Sequence, residues 1–281
     1  MKHCKALLII VLAVALSACG RFSFFNGQKE LALDSIGAEI NDSTVFVGLH
    51  IFYPTDGPAE LVKSVRQYIA LELRADTALF ADGQALIDGA ARQEFERLKA
   101  QRSEVMADFE LDETDEFDYH PSYETTFDIT KLAETDNYLT LNTMSYEFLG
   151  GAHGSTFVSG ATFSKLTGKQ KGWDLLTGTE SAAFRQLILR GIRSYFEDGT
   201  EEPLSDEDFE GMLQLEHGLA EIPLPQAPPY LMPDGVAFVY QQYEIACYAA
   251  GLPSFTISYD DIRPFLSPEA VELIATPQEK K

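Results

Sequence analysis

Three extended segments that follow one another with short breaks constrain the fold of this chain more than any other feature. They cover residues 123–129, 138–149 and 155–163, and the breaks fall at 135–137 and 150–151. The segments are rich in the β-branched and aromatic residues that favour strands. Strands joined by such short connections pair antiparallel, because a parallel pair needs a crossover of a dozen residues or more. The sequence therefore predicts an antiparallel meander.

Helical patterns flank these segments. Apolar residues recur at three- and four-residue spacing, as on one helix face, over residues 57–74, 84–107 and 179–196. Asp56 is the expected N-cap of the first of these helices. A hairpin around Asn41-Asp42 is predicted before it, from extended segments at 29–40 and 43–53.

The end of the chain returns to strands, expected near 219–224, 235–240 and 254–259, with short helices at 260–266 and 268–274. Strands and helices that segregate into runs are typical of α+β folds rather than of a repeated βαβ unit. The predicted fold class is therefore α+β, with antiparallel sheets and packed helices in one two-part body.

The first twenty residues predict export. Lys2 and Lys5 precede an apolar run, residues 6–16, that is too short to span a bilayer comfortably. A basic start followed by such a run is the pattern of a secretory signal. The run ends in Leu16-Ser17-Ala18-Cys19, which resembles the lipobox of bacterial lipoproteins at every position.

The lipobox resemblance implies that residues 1–18 are a signal peptide and that Cys19 is lipidated. Residues 19–28 would then tether the protein to the cell membrane or the outer membrane, on the periplasmic face in a Gram-negative cell. An ordinary signal peptide with an accidental cysteine, or an uncleaved signal anchor, remains open.

Charge and cysteine content limit the classes of partner. The formal net charge of −23 disfavours nucleic acid and anionic lipid surfaces and favours a cationic partner, although acidity also serves solubility.

With Cys19 committed to lipid, Cys247 cannot form an intramolecular disulfide or a four-cysteine zinc site. An acidic string at 108–118 lacks the glycine and glutamate of a helix-loop-helix calcium site and is predicted to be a solvated loop. No metal and no cofactor is expected.

Three segments of the second half together resemble a known family. They are YEFLGGAHG at 146–154, FSKLTGK with WDLL at 163–176, and YEIACYAAG with FTISY at 243–259. These segments are similar to the RsiV-type extracellular domain of unknown function, the outer part of a lysozyme-sensing anti-sigma factor, which also occurs in bacterial lipoproteins. The resemblance implies an RsiV-type α+β domain at 115–275 after a companion α+β domain at 29–110.

Two positions depart from the family pattern. Cys247 stands where proline is usual, and Lys165 stands where asparagine is common. These departures argue against carrying partner-binding residues across from the family.

The same segments supply a candidate binding loop, made of Gly150, Gly151, His153, Tyr243, Glu244 and Tyr248. Glycines allow unusual backbone angles, and aromatic rings beside a carboxylate suit glycans. The alternation of aromatic and aliphatic residues also fits a buried core, and His153 also fits a backbone hydrogen bond at a strand–loop junction. No catalytic residue is predicted, because no histidine lies in a metalloprotease spacing and no serine in a G-x-S-x-G turn.

The sequence thus predicts a cell-envelope lipoprotein that binds or senses a ligand and is not an enzyme. The resemblance implies a cationic wall-lytic protein such as lysozyme, or peptidoglycan, as the partner. The alternative is an envelope hydrolase acting on glycan or ester bonds with His153 as acid or base. A structural protein of an outer-membrane assembly is a third possibility.

Overall fold

A long hairpin opens the part of the chain that the computed structural model describes, residues 30–76, 78, 80–109, 122–200, 202–215, 218–219 and 222–275. Strand β1 (Ala32–Asn41) pairs antiparallel with β2 (Val45–Asp56), as predicted. Residues 1–29, including Cys19, and the acidic string from residue 110 onward lie outside the described residues.

Asp42 shapes the hairpin turn. One of its carboxylate oxygens accepts hydrogen bonds from the backbone N–H of Thr44 at 2.7 Å and of Val45 at 2.8 Å. The other oxygen pairs with Lys99 Nζ at 2.6 Å. The Lys99 hydrogen bond is the largest cause that holds the pKa of the Asp42 carboxyl well below its usual range.

Two helices then cross one face of the hairpin, α1 (Ala59–Glu72) and α2 (Gly83–Asp108). The predicted N-cap at Asp56 is wrong, since the cap position of α1 is Pro58. Asp56 instead ends β2, and its carboxylate accepts a hydrogen bond from the Gly57 N–H. Helix α2 has a side-chain cap that the sequence analysis missed, because Asp82 accepts from the Ala85 N–H at 3.0 Å.

The chain returns to the sheet as β3 (Tyr123–Glu134), which lies parallel to β2 because the two helices intervene. Strands β4 (Tyr138–Leu149) and β5 (Ser155–Ser164) complete the predicted antiparallel meander, and the short β6 (Gln170–Lys171) pairs with β5. Among the described strands, the β2–β3 pair therefore departs from the predicted antiparallel pairing. The predicted domain division between 29–110 and 115–275 falls between β2 and β3 of this six-stranded sheet and stays a prediction.

The second part of the body contains the other elements. It begins with two helices, α3 (Ala182–Glu197) and α4 (Asp206–Met212). A three-stranded antiparallel sheet comes next, made of β7 (Tyr230–Met232), β8 (Gly235–Val239) and β9 (Ser254–Ser258). Two short helices end it, α5 (Tyr259–Ile262) and α6 (Pro268–Ile274). Ser205 caps α4, because its side chain accepts a hydrogen bond from the Asp208 N–H.

The predicted strand at 219–224 is wrong, since its described residues, 219 and 222–224, form no strand. Pro223 and Pro225 explain the absence of strand pairing here, because proline has no N–H to donate to a neighbouring strand.

Two large hydrophobic cores and a smaller cluster around Tyr230 support the described part of this α+β body. One lies between α1, α2 and the six-stranded sheet, and includes Ile69, Leu86 and Phe163. The other lies among α3, α6 and the three-stranded sheet, and includes Phe184 and Phe238. None of the helices within the described ranges combines the length and the apolar character that a membrane span requires.

The two parts meet through a buried polar contact. The hydroxyls of Thr140 and Thr162 lie 2.9 Å apart on β4 and β5. Thr140 donates to the Leu231 carbonyl of β7 and Thr162 accepts from the Leu231 N–H, both at 2.8 Å. Both peptide groups of one β7 residue are thereby satisfied by side chains of the larger sheet, which fixes the position of β7 on it.

Candidate functional site

The two segments that the sequence analysis singled out, 146–154 and 243–248, meet beyond the ends of β4 and β5. Gly150 follows β4 with a φ of 74°, a left-handed conformation that glycine adopts at little cost. Gly154 lies so close to the Tyr146 ring that a Cβ there would come within 2.3 Å of it. Gly151 has no such constraint, since a Cβ would meet nothing within 4 Å.

The C-terminal segment is held against β5 by two glutamine side chains. Gln241 accepts from the Val158 N–H at 3.0 Å and donates to the Val158 carbonyl at 2.8 Å. Gln242 accepts from the Thr156 N–H at 2.9 Å. These amides imitate a neighbouring strand along the open edge of β5. Sequence reasoning missed both residues, because no local pattern indicates that a side chain pairs with a distant strand.

Glu244 stabilises the same loop. Its two carboxylate oxygens accept hydrogen bonds from the backbone N–H groups of Gln241 and Gln226, each at 2.7 Å. The carboxylate that was predicted to contact a ligand therefore already satisfies two backbone donors, and its role here is to shape the loop.

His153, Tyr243 and Tyr248 form what we call the aromatic cluster. The His153 ring stacks on Tyr248 with a centroid distance of 3.7 Å and an interplanar angle of 20°. Its Nε2 lies 3.2 Å from the Tyr243 hydroxyl, and its Nδ1 lies 3.2 Å from the Gly154 carbonyl. The Tyr248 hydroxyl donates to the same carbonyl at 2.9 Å. Both ring nitrogens of His153 thus have partners, and the ring is fixed between two elements that are distant in sequence.

Tyr243 is the exposed member of the cluster. Its side chain is 59% accessible, so the interpretation of this segment as buried core is wrong for Tyr243. Its φ of 66° is left-handed, which is uncommon and strained for a residue with a Cβ. Strained backbone of this kind persists only where the surroundings impose it, and it concentrates at functional sites. Cys247 is also exposed, and its thiol is free.

A second arrangement lies on the opposite half of the larger sheet, on β1, β2 and β3. His50 Nε2 lies 2.9 Å from the Ser35 hydroxyl, and His50 Nδ1 lies 3.2 Å from an Asp128 carboxylate oxygen. This is the order nucleophile, base and orienting acid of a serine hydrolase. Gly37 and Gly48 line an open groove of about 450 Å³ beside it. Sequence reasoning missed the arrangement because its members are brought together only by strand register.

Ser35 and His50 are exposed, His50 to 48%, whereas Asp128 is partly buried, with its side chain 34% exposed. Within the described residues, no group of three or more histidine, cysteine, aspartate or glutamate side chains could hold a metal ion.

Comparison with known families and structures identifies two regions. The family model "Deacetylase PdaC" matches residues 32–156, and the family model "Protein of unknown function (DUF3298)" matches residues 180–260. A search of curated proteins finds no match.

Solved structures share the fold. A DUF3298 family member from Bacteroides fragilis superposes with a TM-score of 0.71 at 19% identity, covering 88% of this chain and 98% of that one. A DUF3298 family protein from Pseudomonas aeruginosa superposes with a TM-score of 0.57 at 17% identity, covering 86% of this chain and 97% of that one. The chain is therefore similar to the PdaC family from β1 to the start of β5, and to the DUF3298 family from α3 to the start of α5.

Proposed function

We propose that this protein is a non-catalytic binding module of the cell envelope and that the aromatic cluster contacts its partner. The observation that carries the proposal is the exposed Tyr243 ring, held in a strained conformation against His153. Tyrosine is enriched among the residues that dominate binding energy, and a ring fixed before binding loses little conformational entropy on association.

A cationic partner is favoured by the net charge of −23. The resemblance of segments 146–154 and 243–259 to the RsiV-type domain supports a wall-lytic protein such as lysozyme as this partner, with peptidoglycan as the other ligand to test. Long-range attraction would speed association, whereas the aromatic cluster would supply the part of the affinity that salt does not screen.

We expect calorimetric titration of the full chain with a c-type lysozyme to show saturable binding that persists at physiological salt. Tyr243→Ala should raise Kd at least about tenfold, because it removes the exposed ring from the centre of the contact. Tyr248→Phe keeps the ring that stacks on His153 and should change Kd by less than about threefold.

Leu71→Ala is the matched control, since Leu71 is an exposed apolar side chain on α1, far along the chain from the cluster. If the heat of binding disappears at physiological salt, the interaction is only a general attraction between opposite charges. A Tyr243→Ala variant that binds as well as the parent would show that the aromatic cluster is not the contact.

The envelope location rests on Cys19, which we propose carries the lipid. Cys19→Ser should move the protein from the membrane fraction to the soluble fraction, because acyl chains supply the membrane affinity at about 0.8 kcal/mol per buried methylene. Metabolic labelling with a palmitate analogue should mark the parent and not the variant. An unlabelled parent, or a variant that stays with the membrane, would contradict the anchor.

A hydrolase is the second candidate, supported by the name of the PdaC family and by the arrangement of Ser35, His50 and Asp128. In such a reaction the Ser35 hydroxyl would attack an acyl carbon while His50 Nε2 takes its proton. His50 would pass that proton to the leaving group, and water would then release the acyl group from Ser35. Asp128 would orient the imidazole throughout.

A fluorophosphonate probe separates the two candidates, since it reacts with activated serines whatever their natural substrate. Labelling of Ser35 that is lost in His50→Gln would establish an activated serine and favour the hydrolase. Unlabelled protein, together with turnover of acetylated glycan fragments that His153→Ala abolishes, would instead assign the chemistry to His153. Absence of both labelling and turnover is the result that the binding proposal expects.

A further inference from the structure

A cavity of about 330 Å³ lies between the helices and the larger sheet. The end of α1, the middle of α2 and strands β2, β3, β4 and β5 contribute its walls. Pockets for small molecules usually measure about 300–1,000 Å³, so this one has room for a single small ring rather than a protein segment.

Thr125 is the reason to regard this cavity as a ligand site. Its side chain lines the cavity, is 2% exposed, and within the described residues its hydroxyl oxygen has no hydrogen-bond partner. A buried hydroxyl without a partner costs about 1–3 kcal/mol. The cost is recovered when a ligand hydroxyl donates to or accepts from it.

The charges around the cavity nearly cancel. Arg97 of α2 pairs with Glu94 at 2.6 Å and reaches across to Glu147 of β4 at 2.5 Å. Arg74 and Glu72 at the end of α1 add one side chain of each sign, and burial raises the pKa of the Glu72 carboxyl toward the neutral form. A cavity lined in this way gives no large advantage to a strongly charged ligand of either sign.

Hydroxyl and aromatic groups complete the lining. Ser145 and Ser155 add two further hydroxyls near Thr125, and Phe127 and Phe157 contribute apolar ring surface. Hydroxyls and carboxylates suit the hydroxyl groups of a sugar, whereas aromatic rings suit its apolar face. We propose that this cavity binds one neutral sugar ring. The proposal does not rest on the aromatic cluster or on the function assigned to it.

The test is an NMR titration of the full chain with N-acetylglucosamine and with glucose. We expect saturable shifts of the backbone amides on β3, β4 and β5 around the cavity. Thr125→Val keeps the side-chain shape and removes the hydroxyl, so it should raise Kd about tenfold. The same variant should be at least as stable as the parent in urea, because it removes a buried polar group that has no partner.

Phe157→Ala provides a second variant, since this half-exposed ring can be removed with little effect on the core. It should weaken sugar binding, whereas Met144→Ala, a comparably exposed apolar residue on the same pair of strands, should not. Absence of saturable shifts with either sugar would overturn the proposal. Shifts confined to the aromatic cluster, or an unchanged Kd in Thr125→Val, would also overturn it.

Discussion

Phe238→Ala is expected to lower the free energy of unfolding by about 3–5 kcal/mol, the range measured for buried phenylalanine truncations. Phe238 is 1% exposed and lies on β8, the middle strand of the three-stranded sheet. Its ring lies 5.6 Å from that of Phe255 and 6.3 Å from those of Phe184 and Trp173, measured between centroids. Truncation therefore leaves a cavity that neighbours on three elements would have to close.

Urea denaturation followed by tryptophan fluorescence measures this loss directly. Trp173 is the single tryptophan of the chain and contacts Phe238, so its emission reports on the affected core. Circular dichroism followed in parallel reports on both parts of the body. Coincident transitions would show that the two cores unfold together, whereas a shift confined to the fluorescence would show that they unfold separately.

Leu71→Ala is again the control, since Leu71 is 65% exposed and its truncation should change stability by no more than about 0.5 kcal/mol. A Phe238→Ala variant that loses less than about 1 kcal/mol would contradict the position of this ring at the centre of the second core.

Gly160→Val is expected to destabilise the protein by about 3 kcal/mol, at the upper end of the usual cost of overpacking. Gly160 lies on β5, and a Cβ there would come within 2.2 Å of the Tyr230 ring. Three atoms at the base of that ring crowd the position, and the ring is itself buried, so it cannot swing aside as the tip of a flexible chain would. The substitution should force β7 away from the larger sheet.

A double-mutant cycle of Gly160→Val and Tyr230→Ala, followed by thermal and urea unfolding, tests whether contact with the Tyr230 ring causes the destabilisation. Tyr230→Ala removes the ring that valine would strike, so the two substitutions together should cost at least about 1 kcal/mol less than their separate costs added. Gly151→Ala is the matched glycine control and should be neutral, because a Cβ there meets nothing within 4 Å. If the two costs simply add, the destabilisation by Gly160→Val does not arise from contact with the Tyr230 ring.

Much of the secondary structure could be predicted from local pattern. The hairpin around Asp42, the meander β3–β5 and the amphipathic α3 all follow from alternation, helical spacing and turn residues within short windows. The α+β class follows in turn, because segments of this kind can bury their apolar faces only by packing helices on sheets. The strand expected at 219–224 failed because Pro223 lies within it and Pro225 directly follows it, and proline lacks the N–H group that strand pairing needs.

The candidate site could be predicted only as a set of residues. The glycines and aromatic residues of 146–154 and 243–248 were identifiable from the sequence, but the stacking of His153 on Tyr248 depends on two segments about ninety residues apart. The pairing of Gln241 with β5 and the order of Ser35, His50 and Asp128 also depend on segments that are distant in sequence. So does the environment of Thr125, whose hydroxyl has no hydrogen-bond partner among the described residues.

The sequence by itself determined most of the strands and helices, because these depend on neighbours along the chain, and for the same reason it predicts an export signal at residues 1–18. Only the tertiary structure decided that β2 and β3 are parallel, that Glu244 shapes a loop, and that Tyr243 is exposed. The β2–β3 pairing depends on the register between strands that are distant in sequence. A shift of one residue in that register would send every side chain of a strand to the opposite face, and no local window of sequence specifies it.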